Sequence, residues 1–144
     1  MKYLLALTVL LMTAVWLTAA GGSAGVTYVG HDKVAAALAK GGPLVSAPDL
    51  TVSGSHRAGP GKVEVHEKET DVFYVVDGEA TFVTGGVMVG GKVTKPGQLM
   101  GSSIQSGVAH HLSKGDVIVI PAGTPHWFKE VPQSVSYYVV KVLK

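Results

Sequence analysis

Four side chains stand out for the chemistry they could share: Glu64, His66, Asp71 and His126. Glu64 and His66 lie two apart in Val-Glu-Val-His, so on a strand both point to one face. Asp71 opens the next apolar run, and His126 follows a Pro/Gly turn in Gly115-Asp-Val-Ile-Val-Ile-Pro121-Ala-Gly123-Thr-Pro-His126. Two imidazoles and one or two carboxylates brought to a point suit a divalent first-row metal with open coordination positions. His66 with Asp71 alone would serve as a metal-free acid–base dyad. Plainer readings exist for each residue. Glu64 to Asp71 reads Glu-Val-His-Glu-Lys-Glu-Thr-Asp, a charged turn that water can solvate, where Glu64 could simply pair with a lysine. Asp71 is one methylene shorter than a glutamate, about 1.5 Å less reach, which suits it to orienting a ligand histidine instead.

The elements that must position these groups read as strands. Asp116 to Ile120 is a β-branched run, expected as a fully buried strand, and Pro121 and Gly123 close it and reverse the chain. Phe73 to Phe82 is expected as a hairpin turning at Asp77-Gly78, with strands at Val72–Val76 and Ala80–Val83. Leu50 to Arg57 alternates like a strand with one half-buried face. Further strands are expected at Val26–Val29, Val63–His66, Ala109–Leu112, His126–Lys129 and Val135–Val142. One short helix, His31–Lys40, would take Asp32 as N-cap and stop at Gly41-Gly42. The glycine-rich stretch from Gly85 to Gly107 is an extended hairpin or loop, long enough to cover a cavity as a lid. Many short strands with turn signals between them indicate an all-β sandwich or barrel. No internal repeat is visible.

Two stretches together resemble the sequence motifs of the cupin superfamily. Gly115 to His126 is similar to the second motif, G-x5-P-x-G-x2-H, whose histidine binds metal in that superfamily. Gly61-Lys-Val-Glu64-Val-His66-Glu-Lys-Glu-Thr-Asp71 up to Gly78 resembles the first motif, G-x5-H-x-H-x3-4-E-x6-G. Here Glu64 stands at the first histidine, His66 at the second and Asp71 at the glutamate. Glu130 stands where the second motif often has asparagine, a position that does not ligate metal. The likeness spans Leu50 to Val142. It implies a double-stranded β-helix, or jelly-roll, barrel in a single domain over residues 25–144. It also implies one divalent metal held by Glu64, His66, Asp71 and His126. Among Mn, Fe, Zn and Ni, the oxygen-rich set favours Mn or Fe. Candidate substrate contacts are His56, Arg57, Phe73, His111 and Phe128, with Arg57 or His56 suited to an anionic or carbonyl group. Phe73, Phe128 and Tyr137 also read as core.

The chain has 144 residues, a net charge of +2 and no cysteine, which excludes thiolate-metal and thiol-redox chemistry. Its charges form no basic stripe, so nucleic acid is not an expected partner. Residues 1–20 carry a basic start and a long apolar run, followed by the small residues Ala19 to Ala24. That layout is a secretory signal peptide, with cleavage expected near residues 20–24. The apolar run approaches spanning length, so an uncleaved anchor is the rival reading. No basic stop-transfer cluster follows it. The expectation is an exported protein, periplasmic or extracellular, without a stable membrane anchor and compatible with a homodimer. It would act on a small organic molecule as a metal-dependent dioxygenase, isomerase or lyase. The alternatives are a non-enzymatic small-molecule binder and a metal-free epimerase-like catalyst.

Overall fold

The computed structural model describes residues 25–143. The expected signal peptide lies outside the described residues. Helix α1 (His31–Lys40) leads into β1 (Gly42–Ser46) and β2 (Leu50–Arg57). Then come β3 (Val63–His66), β4 (Glu69–Thr84), β5 (Val87–Val89), β6 (Lys92–Lys95), β7 (Gln98–Gly101) and β8 (Ser103–Gln105). The chain continues through β9 (Val108–Ser113), β10 (Val117–Ile120), β11 (His126–Glu130) and β12 (Val135–Leu143). Two antiparallel sheets form a jelly-roll sandwich. One runs β1-β2-β12-β4-β10 and the other β9-β4-β11-β3-β7-β6, so β4 belongs to both.

The double membership of β4 replaces the expected hairpin. Glu69–Thr84 is one strand of 16 residues that bends at Gly78 instead of turning back on itself. Gly78 takes φ +78°, and the register opposite it slips between Ser136 and Tyr137. Before the bend Asp71, Phe73 and Val75 are buried; after it the most deeply buried are Ala80 and Phe82, with Val83 buried beside them. The inward phase thus switches from odd to even positions, as an extra residue in a strand requires. Asp-Gly marks the place correctly, but both halves find partners in different sheets, so no turn forms.

Where the two sheets face each other, Phe73, Phe82, Phe128 and Tyr137 fill the interior. Phe82 and Phe128 meet edge to face at 4.6 Å between centroids, and Phe73 lies 5.2 Å from Tyr137. Leu112, Ile120, Val131, Val135 and Val139 complete this core. α1 packs on β2 beside Gly54, where an added Cβ would stand 2.7 Å from the Ala37 carbonyl carbon. Ser136 Oγ also donates to the Leu38 carbonyl.

Three other local expectations change. Val26–Val29 is coil, with Val26 and Tyr28 exposed, and pairs with no strand among the described residues. The N-cap is Gly30 and not Asp32, which sits inside the first turn and makes no capping bond. The run after Asp116 is an edge strand, with Val117 and Val119 more than half exposed and only Ile120 fully buried. It borders β4 on one side alone, so its alternate side chains face water. The glycine-rich stretch forms hairpins, β5 with β8 outside β6 with β7, and β7 joins β3 as wall of the second sheet.

Candidate functional site

β3 ends on His66 and β11 begins on His126, and the two strands pair with His126 opposite Glu64. The Pro121–Gly123 turn is tied to β3 by the Gly123 N–H, which donates to the His66 carbonyl at 2.8 Å. Asp71 enters from the first half of β4. Glu64, His66, Asp71 and His126 therefore meet, as their spacing suggested. His66 Nε2 lies 3.6 Å from Glu64 Oε2 and 3.5 Å from Asp71 Oδ2. His126 Nε2 lies 4.0 Å from the same Glu64 oxygen and 3.7 Å from the same Asp71 oxygen. His66, Asp71 and His126 are all buried, and Glu64 is partly so.

The tautomer of His126 follows from its neighbours. Its Nδ1 lies 3.0 Å from the Thr124 carbonyl, which can only accept, so Nδ1 carries the proton. Nε2 is left with a lone pair aimed at the carboxylates. It is buried with no hydrogen-bond partner among the described residues. An orphaned buried acceptor costs about 1–3 kcal/mol, so such a group needs a reason to exist. Burial is the main cause that pushes the His126 imidazole pKa down, outweighing the Thr124 carbonyl and Asp71. The adjoining His66 ring, helped by Arg57, holds the Glu64 carboxyl below its usual range despite burial. Both groups are thereby kept in the unprotonated form in which they donate lone pairs.

A divalent metal tests well against this donor set. Each histidine Nε2 lies 3.5–4.0 Å from Glu64 Oε2 and Asp71 Oδ2, so nitrogen and oxygen donors converge where one ion could be held. Glu64, His66 and His126 form one group able to hold an ion, and His66, Glu69 and Asp71 form another.

Glu69 and Lys141 escaped the sequence reading. Lys141 Nζ donates to Glu69 Oε2 at 2.7 Å and to Asp71 Oδ1 at 2.8 Å. Glu69 Oε2 in turn lies 3.5 Å from His66 Nδ1, the ring nitrogen turned away from Glu64. The signal was present in the strand alternation. Lys141 shares phase with the buried Val135, Tyr137 and Val139, and Glu69 with Asp71, Phe73 and Val75.

The candidate substrate contacts fall differently. β2 turns Arg57 inward and His56 outward. Arg57 lies over the Phe128 ring at 4.9 Å, and its Nε donates to the Tyr137 hydroxyl. A cavity of about 390 Å³ opens beside Arg57 and Tyr137, lined also by Ser53, Ser55 and His56 but by none of the four cluster residues. His56 is exposed and bonded to Ser136, and His111 is exposed beside Glu79, so neither joins the cluster. His110, the opposite-facing neighbour of His111, bonds Thr84. Phe73 and Phe128 stack within the core, 5.9 Å apart, and form the floor beneath the histidines. On the strand face opposite His126, Trp127 donates its indole N–H to the Gly61 carbonyl at 2.8 Å.

Comparison with known proteins agrees with this architecture. A family model described as Cupin matches residues 60–142. No curated protein matches the chain. Among solved structures, a double-stranded β-helix protein from Klebsiella pneumoniae is 17% identical, with a TM-score of 0.50 over 70% of this chain and 69% of that one. A protein from Bacillus halodurans is 15% identical, with a TM-score of 0.53 over 71% of this chain and 68% of that one. The cupin domain of Schizosaccharomyces pombe Cnp3 is 11% identical, with a TM-score of 0.53 over 72% of this chain. There the match spans 59% of the yeast chain. At such identities the likeness speaks for the fold.

Proposed function

The chain belongs to the cupin family, and from that premise we propose that it is an exported mononuclear metal protein acting on a small organic molecule. The buried Nε2 of His126 carries the reading, because it has no hydrogen-bond partner among the described residues and faces Glu64 and Asp71 with its lone pair. Glu64, His66 and His126 would hold the ion, with Asp71 beside them. A divalent ion bound there supplies Lewis-acid or oxygen-activating chemistry at its open positions, and the oxygen-rich set favours Mn or Fe over Zn or Ni.

The chain's own residues do the rest. The Thr124 carbonyl fixes the His126 ring, and Glu69 stands behind His66. Phe73, Phe82 and Phe128 close the floor against water. Arg57, held by Tyr137 and Phe128, offers a cation to an anionic or carbonyl group. Export rests on the apolar leader and the small residues behind it.

Metal analysis of protein purified without a histidine tag tests the centre. About one equivalent of a first-row divalent metal per chain is expected, and its loss in the double variant His66→Ala/His126→Ala. Full occupancy in that variant places the metal elsewhere. Metal-free protein that still turns over substrate favours the His66–Asp71 acid–base pair, whose nearest atoms lie 3.5 Å apart.

A further inference from the structure

Inside the sandwich, beside the candidate centre, lies a cation that the proposed function does not use. Lys141 points inward from β12, its side chain only 24% exposed, and its ammonium bridges Glu69 and Asp71. These two carboxylates and His66 form the second group whose geometry could hold an ion. The ammonium lies against two of its three donors. Asp71 is divided as a result: Oδ1 belongs to Lys141, and Oδ2 faces His66 and His126.

Charge balance gives this arrangement a purpose. Glu64, Glu69 and Asp71 bring three negative charges into a small, largely buried volume. Uncompensated buried charge is costly, and carboxylates in such a place recruit cations. The Lys141 ammonium supplies positive charge where Glu69 and Asp71 meet, the place a second ion would take, while Arg57 acts on Glu64. We propose that Lys141 is a positioning residue that stands in for a second metal ion: it keeps the centre mononuclear and limits Asp71 to a single free oxygen. The proposal rests on the metal-centre reading for its consequence, but the ammonium–carboxylate contact stands without it.

The test has two arms. In the first, Mn²⁺ is titrated into metal-stripped full-length wild type, Lys141→Met and Lys141→Arg, and bound equivalents are counted after gel filtration. Wild type and Lys141→Arg are expected to take one equivalent, and Lys141→Met two, with spin-coupled Mn²⁺ pairs in its paramagnetic resonance spectrum. One equivalent in Lys141→Met with the wild-type spectrum overturns the proposal. The second arm needs no metal. Acetic anhydride labelling of metal-stripped wild type should modify Lys141 at least tenfold more slowly than the exposed Lys114. Glu69→Gln, which preserves shape and keeps the lysine, should erase most of that protection. Labelling of Lys141 at the rate of Lys114 overturns the proposal even if the protein binds metal. A wild type that takes up no Mn²⁺ yet protects Lys141 rejects the metal-centre reading and the mononuclear role together, while the contact itself stands.

Discussion

Replacing Gly78 by alanine should be among the most damaging single-atom additions available in this fold. An alanine Cβ there would lie 2.0 Å from the Ser134 carbonyl oxygen and 3.0 Å from the Val135 Cα, both backbone atoms that cannot rotate away. The residue also has φ +78°, which costs a non-glycine residue about 1–2 kcal/mol on its own. Gly97 supplies the control. Its φ is +77°, and an added Cβ there meets nothing within 4 Å. Gly97→Ala should therefore lose only the conformational part, roughly 1 kcal/mol. Gly78→Ala should lose that plus the clash, about 3–5 kcal/mol in all. For a domain of this size each kcal/mol shifts Tm by about 4 °C, so drops of about 4 °C and 12–20 °C are expected. Urea and thermal unfolding of both variants beside wild type measure the difference. Equal losses would refute the reasoning, because the bend of β4 would then not depend on the close approach of Ser134. The consequence reaches the site, since that bend lets Asp71 and Phe82 line the same interior from one strand.

Glu64→Ala should weaken metal retention, whereas Glu64→His should keep an ion but shift selectivity toward Zn, Cu or Ni, read by metal content after mixed-metal growth. Identical metal in wild type and both variants makes Glu64 a bystander. Phe82→Ala should cost about 3–5 kcal/mol, because the ring is fully buried against Phe73 and Phe128 and stands 6.1 Å from His126. Denaturant unfolding checks it, and a loss below about 1 kcal/mol would show the interior collapses around the gap. The metal-free protein should lose stability on acidification in two stages. The His126 pKa is depressed on folding, so its contribution is full above its unfolded value near 6.5 and declines as pH falls from there. The depressed Glu64 pKa adds a further loss as pH drops below about 4.5 through the folded value. Stability that rises between neutral pH and pH 5 contradicts these signs. Mass spectrometry of protein exported by a native-like host should find a chain starting near residues 21–25.

Much of the fold was legible because β-rich segments and their turns have local signatures. β3, β9, β11 and β12 fall within a residue or so of their expected bounds. The convergence of Glu64, His66, Asp71 and His126 was legible too, through motif spacing and the two-residue period of a strand. What the sequence hid depends on pairing. Asp77-Gly78 has hairpin chemistry, yet β12 on one side and β9 and β11 on the other claim the two halves. The β-branched run in β10 has the composition of a central strand, but nothing in composition says that a second neighbour is missing. Lys141 was overlooked because a lysine near a strand end reads as solvated. Only its phase with Tyr137 and Val139 betrays the inward side chain.

Trp127 gives this protein a built-in optical gauge. The chain has two tryptophans, and removal of the leader would discard Trp16. The remaining indole sits next to His126 in sequence and is anchored to Gly61, in the stretch that leads into Glu64 and His66. Excited beyond the tyrosine absorption band, this one indole reports on a single location. Paramagnetic Mn²⁺ or Fe²⁺ in the cluster would quench it, while diamagnetic Zn²⁺ would leave its intensity nearly intact. Loosening of the β2–β3 connection would break the indole's tie to Gly61 and move its colour to the red. Occupancy, ion identity and loop opening therefore leave separate marks on one spectrum, without a label attached.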